Sequence, residues 1–493
     1  MKRAAHGLAG AAAGMLKDRR VGVDGSRIVV LAGSGNNAGD ALYAAAELAV
    51  RGARATAMLT AGRTHGPALA AFERAGGRTL LLPQDSSLDG FLLESGFLAD
   101  VTKAHILIDG ILGTGATGGL REPAASLVRV LQTVSGPAVV ACDLPSGINA
   151  DTGEVTHPVL GADHTVTFGA TKVGLLASPA EGFAGKVQLI DIGLAPQLAA
   201  RGVGGAALRR LETEDLAALL PEPVGSDQKY TRGVLGIVAG SAQYPGAAQL
   251  SCAGALACGV GMVRYLGPEA VATLIHGQSP EAVCSQGDVG SNRVQAWLVG
   301  PGITGDAAQE QRSRDALDSG LPVVADAGAL EFLPDSVARH VVLTPHAGEL
   351  ATLLSARGHN VQRGDVEANG LRYVRLAADL TGATVLLKGS TTVVASPGSA
   401  YFSQSEGTAW MATAGSGDTL AGILGALLAA LADDVDRFER LGIAAQDRWA
   451  ATAALAASLH GRAGAAASAG GPLKASDISA AIPDVWRRLI PHE

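Results

Sequence analysis

Short apolar runs that end in glycine-rich polar loops, each followed by a helical pattern, recur from one end of this 493-residue chain to the other. The first is Arg27-Ile-Val-Val-Leu-Ala-Gly33, which reads as a buried strand. It runs into Gly33-Ser-Gly-Asn-Asn-Ala-Gly-Asp40, read as a loop, and then a helix over 41–50. An apolar helix precedes it over 4–16, and further strands are expected at 53–59, 78–82, 105–109, 138–142 and 164–168. Strands alternating with helices predict a parallel sheet with right-handed crossovers, an α/β fold that binds ligands at the carboxyl ends of its strands. The 66 glycines and 4% aromatics suit closely packed layers with many tight turns.

Three loops fall at such strand ends: Gly33–Asp40, the stretch 109–118, and Cys142-Asp-Leu-Pro-Ser-Gly147. The second contains Gly113-x-Gly115-x-x-Gly118, the dinucleotide fingerprint as a string, with Asp143 lying 25 residues on. A nicotinamide dehydrogenase is therefore one reading. Asn36, Asn37, Asp40, Asp109, Asp143 and Ser146 are short oxygen-bearing side chains at one sheet edge. Their chemistry suits a hard cation, and few charges suit a monovalent one. Any one of them alone is as readily a helix cap or an Asx turn.

Asn36-Asn37-Ala38-Gly39-Asp40, Asp109 with Gly113-Thr114-Gly115, and Asp143-Leu-Pro-Ser146-Gly147 together resemble the NAD(P)H-hydrate epimerases. The resemblance implies a Rossmann-like three-layer sandwich that interconverts the R and S epimers of hydrated NADH and NADPH. It implies that residues 36–40, together with Gly113, Thr114, Gly115, Ala116, Thr117, Gly118 and Gly119, bind the hydrated dinucleotide. Asp143 would contact the ligand and move protons, while Asn37, Asp109 and Ser146 would hold potassium. Ala38 and Ala41 stand where the family usually has glycine. Residues 1–9 resemble the end of the family's first helix, without the usual preceding segment.

Residues 194–211 read as a linker passing into a helix near 212–216, which places a boundary near residue 203 and domains at 1–203 and 204–493. A second doubly wound sheet follows. Its apolar runs are 233–240, 262–266, 297–302, 323–327, a run from 341, and 384–389, with a helix over 247–259. There is no Gly-x4-Gly-Lys-Ser/Thr string, so a P-loop nucleotidase is excluded. Lys388 at a strand end could meet phosphates or be a surface lysine, and His346 with Glu349 could be a site or a cap.

The stretch Met411-Ala-Thr-Ala-Gly-Ser-Gly-Asp418 runs into an apolar helix over 419–431. A helix start offers outward amides and the positive end of its dipole, and hence an anion site. A carboxylate beside it can take a proton from an attacking hydroxyl. Phosphoryl transfer to an alcohol needs that pair, although an ordinary N-cap explains the stretch equally well.

The ordered set Gly300-Pro-Gly302, Asp326, Thr344-Pro-His-Ala-Gly-Glu349, Leu387-Lys-Gly389 and Ala414-Gly-Ser-Gly-Asp418 resembles the ADP- or ATP-dependent NAD(P)H-hydrate dehydratases, a ribokinase-like family. It implies that Lys388, Gly389, Ser390, Thr391, Thr392, Thr408, Met411, Thr413, Ala414, Gly415, Ser416 and Gly417 bind the nucleotide, with magnesium. Gly302, His346, Ala347, Gly348, Glu349, Leu350, Ala351, Thr352 and Asp418 would face the hydrate, with Asp418 as the catalytic base. Departures from the pattern are Thr304, Ala347, an inserted Gly328 and Ala414. A sugar or vitamin kinase with a non-catalytic front domain stays open as the alternative.

A net charge of −8 argues against nucleic acid as a partner. Cys142, Cys252, Cys258 and Cys284 form no CxxC pair, so a zinc-thiolate site is not expected. Scattered cysteines and the lack of a signal peptide or spanning segment fit a cytoplasmic protein. Small-molecule ligands, no membrane partner and a homo-oligomer are expected.

Overall fold

The computed structural model describes residues 1–83, 88–116, 118–201 and 205–490. The chain forms two compact units, Met1–Gly205 and Ala206–Glu493. The expected boundary near 203 falls outside the described residues.

In the first unit, β1 (Arg27–Ala32), β2 (Arg54–Leu59), β3 (Arg78–Leu81), β4 (Ile106–Gly110), β5 (Ala138–Cys142), β6 (His164–Phe168) and β7 (Lys186–Ile190) form one sheet. Its order is β3-β2-β1-β4-β5-β6-β7 and every pair is parallel. Alternation along β1 explains the layers. Ile28, Val30 and Ala32 pack with the helices Lys2–Asp18 and Asn36–Val50, while Val29 and Leu31 pack with side chains of the segments 88–102 and 124–131. The result is a three-layer α/β sandwich. The strand order turns back between β1 and β4, and the crevice at that switch point is where such sheets bind ligands.

One expectation is corrected at that crevice. The helix after β1 begins at Asn36, with Gly35 as its N-cap, so residues 36–40 are helix and not loop. The turn from β1 is made within Gly33-Ser34-Gly35. A Cβ at Gly33 would lie 2.0 Å from the carbonyl oxygen of Ile111, so only glycine lets the ends of β1 and β4 approach this closely. Ala38 and Ala41 are fully buried, which gives the helix its early anchor.

The second unit contains β8 (Leu208–Arg209), β9 (Val234–Val238), β10 (Met262–Leu266), β11 (Val283–Ser285), β12 (Ala296–Val299), β13 (Val323–Ala325), β14 (Val341–Leu343), β15 (Thr384–Leu387), β16 (Thr392–Ala395) and β17 (Tyr401–Gln404). The order is β11-β10-β9-β12-β13-β14-β15-β16-β17-β8. Strands β11 to β15 run parallel, and β16 is antiparallel to both its neighbours. The stretch read as a linker holds a helix at Ala195–Ala200 and β8, which pairs parallel with β17. Two residues suffice there because the exposed edge of β17 supplies the ladder, and tertiary context overrides weak β-propensity.

At the centre of this unit lies the helix Ser416–Leu431, three residues longer at its start than the sequence pattern suggests. Apolar residues surround it: Leu420, Ile423, Leu424, Leu427, Leu428 and Leu431 all belong to the core. Helices Pro245–Ala257 and Arg448–Ser468 contribute to the same core. Among the described residues no helix is long and apolar enough to cross a membrane.

Candidate functional sites

The loops after β1, β4 and β5 meet in the first unit. Asn37, one residue into its helix, donates from Nδ2 to the carbonyl of Leu112 at 2.7 Å. Asp109, at the end of β4, is buried. Its Oδ1 accepts from Ser146 Oγ at 2.7 Å and from the Ile111 amide at 3.2 Å, and its Oδ2 accepts from the Ser146 amide at 2.7 Å. Ser146 Oγ in turn accepts from the Leu112 amide at 2.9 Å. The expected trio Asn37, Asp109 and Ser146 is thus tied together through Leu112. Burial pushes the Asp109 carboxyl above the ordinary carboxylate value, against the Ser146 and Ile111 hydrogen bonds that pull it down.

Asp143 follows β5 with φ +69°, a region few non-glycine residues adopt outside functional sites. Its Oδ1 accepts from Lys172 Nζ at 2.5 Å, Thr167 Oγ1 at 3.1 Å and the Phe168 amide at 3.1 Å. Lys172 is a site residue that sequence reasoning missed. Asp40 lies near this pair electrostatically. Burial, with Asp143 adding to it, raises its carboxyl to about 6, although the Met1 amine and His65 pull it down. Asp40 Oδ1 is buried without a hydrogen-bond partner, and the Met1 amine is 3.9 Å away.

Gly113, Thr114, Gly115, Ala116, Gly118 and Gly119 lie in the loop after β4, and Thr117 lies outside the described residues. The next helix starts only at Ala124. A dinucleotide fingerprint needs its glycines to open a helix directly, so the string here is not one. The Asp143 carboxylate, moreover, is engaged by Lys172. The dehydrogenase reading fails on both counts.

In the second unit, Gly415 caps the helix Ser416–Leu431 with φ +90°, a conformation that glycine adopts without strain. Asp418 stands in the first turn of that helix. Lys388, just past β15, is not a surface lysine. Its Nζ lies 2.8 Å from Asp326 Oδ1 and 3.9 Å from Glu349 Oε2, and a Cβ at Gly417 would be 3.3 Å from it. Burial opposes the ammonium, but Asp326 first, then Glu349 and Asp418, hold it above the ordinary lysine value. Asp326 is 2% exposed and also accepts from Thr344 Oγ1 at 2.8 Å. Asp418 is raised to about 6 by burial, then by Asp326, with Lys388 pulling it down.

His346 and Glu349 form a reciprocal capping box: His346 Nδ1 accepts from the Gly348 and Glu349 amides at 3.0 and 3.2 Å, and Glu349 Oε2 accepts from the His346 amide at 2.8 Å. The cap does not remove them from the site. A cavity of about 720 Å³ is lined by Lys388, Gly389, Ser390, Thr392, Thr408, Met411, Thr413, Ser416 and Gly417, with His346 at one side. A second, of about 820 Å³, is lined by His346, Gly348, Glu349 and Thr352 with Ile303 and Thr304. His346 is common to both. Of the other expected residues, Thr391, Leu350 and Ala351 are buried. Gly302, Ala347, Ala414, Gly415 and Asp418 are in neither lining, although Asp418 stands in the field of Lys388, which lines the first cavity, and of Glu349, which lines the second.

Sequence reasoning missed two contributors here, Glu406 and His460, and gave Asp326 no role within its motif. Asp326 anchors Lys388. Glu406 and His460 line the first cavity, and His460 Nε2 is 3.2 Å from Ser416 Oγ. A lone histidine in the alanine-rich helix Arg448–Ser468 was the available signal.

The family described as NAD(P)H-hydrate dehydratase matches residues 235–484, and the one described as YjeF-related protein N-terminus matches residues 1–174. The bifunctional NAD(P)H-hydrate repair enzyme Nnr of Mycobacterium tuberculosis (strain H37Rv) is 44% identical over 437 residues, covering 87% of this chain and 84% of that protein. The enzyme of the same description from Mycobacterium leprae is 42% identical over 439 residues, with 87% and 84% covered. The ADP/ATP-dependent NAD(P)H-hydrate dehydratase from Bacillus subtilis, co-crystallised with ATP and Mg2+, is 27% identical with a TM-score of 0.49, covering 56% of this chain and 97% of that one. A family match over half the sequence, and relatives alike along most of their length, place this chain among the bifunctional NAD(P)H-hydrate repair enzymes.

Proposed function

We propose that this chain repairs hydrated NADH and NADPH in two steps. The first unit interconverts the R and S hydrates. The second dehydrates the S hydrate with ADP or ATP, releasing AMP or ADP and phosphate. The observation that carries the second activity is the meeting of a nucleotide-sized cavity, the start of the helix Ser416–Leu431 and the Asp326–Lys388–Asp418 cluster.

Hydroxide leaves carbon poorly and phosphate leaves well. Asp418 takes the proton of the ring hydroxyl as that oxygen attacks the terminal phosphorus, and the bond from phosphorus to the nucleotide breaks. The first-turn amides of the helix and the Lys388 ammonium stabilise the charge on the transferring group. The ring nitrogen's lone pair then expels phosphate, and loss of a proton from the neighbouring ring carbon restores the reduced nicotinamide. The nucleotide enters as its magnesium complex, which offsets part of the phosphate charge. The second cavity, reached across His346, suits the hydrate, and Glu349 and Thr352 face it.

In the first unit, Asn37, Asp109 and Ser146 suit potassium. All three donors to the Asp109 carboxylate are neutral, so its charge is uncompensated, and the accompanying oxygens are amide and hydroxyl. Bound potassium would fix the loops after β1, β4 and β5 against one another. Asp143, held by Lys172, faces the hydrated ring, and Asp143 and Asp40 together handle the proton. All four cysteines are free, which suits a reducing cytoplasm, and we expect a homo-oligomer.

Incubating the chain with mixed hydrate epimers and ADP or ATP, and following both epimers chromatographically, tests both halves. Loss of S alone with no drain of R would remove the epimerase reading. Phosphorylated product without recovered NADH would favour a kinase instead.

A further inference from the structure

His460 has no part in the chemistry above. It stands on the helix Arg448–Ser468, buried, and lines the first cavity together with Ala457 and Gly461. Its Nε2 lies 3.2 Å from the hydroxyl of Ser416. Ser416 is the first residue of the helix Ser416–Leu431 and lines the same cavity. Lys388 Nζ lies over the next residue, Gly417. The serine hydroxyl is therefore placed between a buried imidazole and the space where the helix start and a lysine would meet an anion.

We propose that His460 is a positioning residue, fixing the Ser416 hydroxyl as a hydrogen-bond donor to the nucleotide's phosphate. This rests on the reading that the first cavity takes ADP or ATP. A neutral imidazole carries one N–H and one bare nitrogen. With the bare nitrogen towards Ser416, the hydroxyl proton is spent on the imidazole, and only lone pairs face the phosphate. With N–H towards Ser416, the imidazole donates and the hydroxyl proton is free for a phosphate oxygen. A polyphosphate in the cavity selects the second arrangement, because the first sets acceptor against acceptor. Burial keeps the imidazole neutral, lowering it to about 4, so the arrangement holds throughout the physiological range.

The test uses the full chain as wild type, His460→Leu, His460→Gln, Ser416→Ala and the Ser416→Ala/His460→Leu double variant. Nucleotide-dependent recovery of NADH absorbance from the S hydrate gives kcat/KM for ADP or ATP. Calorimetry gives the affinities for ADP and for adenosine, which has no phosphate. A hydrogen bond to a charged group predicts a loss of about tenfold to a hundredfold in kcat/KM for each of Ser416→Ala and His460→Leu. The double variant should be no worse than either single one, because the two act as one unit. His460→Gln, whose amide N–H can reach the same hydroxyl, should recover most of the activity. Adenosine should bind all five proteins alike. Wild-type activity in His460→Leu, an additive double variant, or equal loss of adenosine and ADP affinity would each overturn the inference. If His460→Leu does not fold, Ser416→Ala must still show the phosphate-specific loss and His460→Gln must retain activity. A wild-type chain without any nucleotide-dependent dehydration would overturn the underlying reading instead.

Discussion

Replacing Asp418 by asparagine separates what this carboxylate does for the chemistry from what it costs the fold. Burial, with Asp326 adding, holds its carboxyl at about 6 in place of the ordinary 3.8, even with Lys388 pulling down. A carboxyl whose folded pKa lies above its unfolded value holds its proton more tightly in the folded protein. Stability from that preference is present below pH 3.8 and is lost as the pH rises through about 6. The interval between the two values, at about 1.4 kcal/mol per pH unit, is worth about 3 kcal/mol at pH 7.5. An amide of the same shape never ionises, so Asp418→Asn should abolish dehydration and stabilise the second unit by up to that amount. In a unit of this size, each kcal/mol raises the melting temperature by about 2 °C. His460 titrates in the same window with the opposite sign. Its folded value of about 4 lies below the ordinary 6.5, so stability falls as the pH drops through that interval. The two effects oppose each other in the wild type, and only the difference between wild type and variant isolates Asp418. Differential scanning calorimetry of both proteins from pH 4 to pH 8 measures it. The two should melt nearly together at pH 4 and separate progressively as the pH rises towards 6, the variant melting higher and the gap staying constant above that. A gap independent of pH, or a variant that melts lower at pH 7.5, would refute the reasoning that Asp418 sits desolvated beside a second carboxylate.

Lys388→Met leaves Asp326 buried without its cation, which should cost the second unit about 3–5 kcal/mol in denaturant unfolding. Because Lys388 holds Asp418 down, the acid limb of the residual dehydration rate should also move to higher pH. Gly33→Ala sets a Cβ against the Ile111 carbonyl, a backbone atom that cannot swing aside, so the first unit should lose at least about 1–3 kcal/mol and epimerisation should fail. Exchanging potassium for tetramethylammonium should slow epimerisation while leaving dehydration unchanged; equal rates in both salts would count against a cation at Asn37, Asp109 and Ser146.

What the sequence revealed and what it hid divide along physical lines. Strands such as β1, β5 and β9 are buried on both faces, so their composition alone marks them. Strand β7 is a half-exposed edge with lysine and glutamine in it, and β16 begins at Thr392, one of the residues read as nucleotide-binding. Both are strands because a neighbour offers a ladder, which no local pattern announces. Asn36 to Asp40 read as a turn because asparagine, glycine and aspartate favour turns. The buried Ala38 and Ala41 decide for helix. The site behaves the same way. Asp418, Asp143 and the three cation candidates were legible because each sits in a motif at a strand or helix end. Lys388 was not legible as a buried ion pair, since Asp326 is 62 residues away in sequence. Lys172 acts on a partner 29 residues away and nothing in its stretch singles it out, while His460 acts on one 44 residues away and is marked only as a lone histidine in an alanine-rich helix.

Both units use the same electrostatic device. Each places one carboxylate at a strand end under a lysine ammonium, Asp143 under Lys172 and Asp326 under Lys388. Each then brings a second carboxylate, from the start of a helix, into the field of the first: Asp40 and Asp418, both raised to about 6 with burial as the main cause. Two neighbouring carboxylates ionise at a cost in a buried site, and in each unit the raised one is the one that does not carry the lysine contact. The raised one is left to exchange a proton near neutral pH, where a catalytic acid or base is most effective. In the second unit the raised carboxylate is Asp418, which supports the proposal that it, and not Asp326, acts as the base. In the first unit the raised group is Asp40, whose Oδ1 has no hydrogen-bond partner, while Asp143 is engaged by Lys172. The pH profile of epimerisation should therefore carry a limb near pH 6 that disappears in Asp40→Asn. In Asp143→Asn the limb should survive at a lower overall rate and move to lower pH, because the Asp143 charge helps raise Asp40. A profile unchanged by Asp40→Asn would return the proton transfer to Asp143.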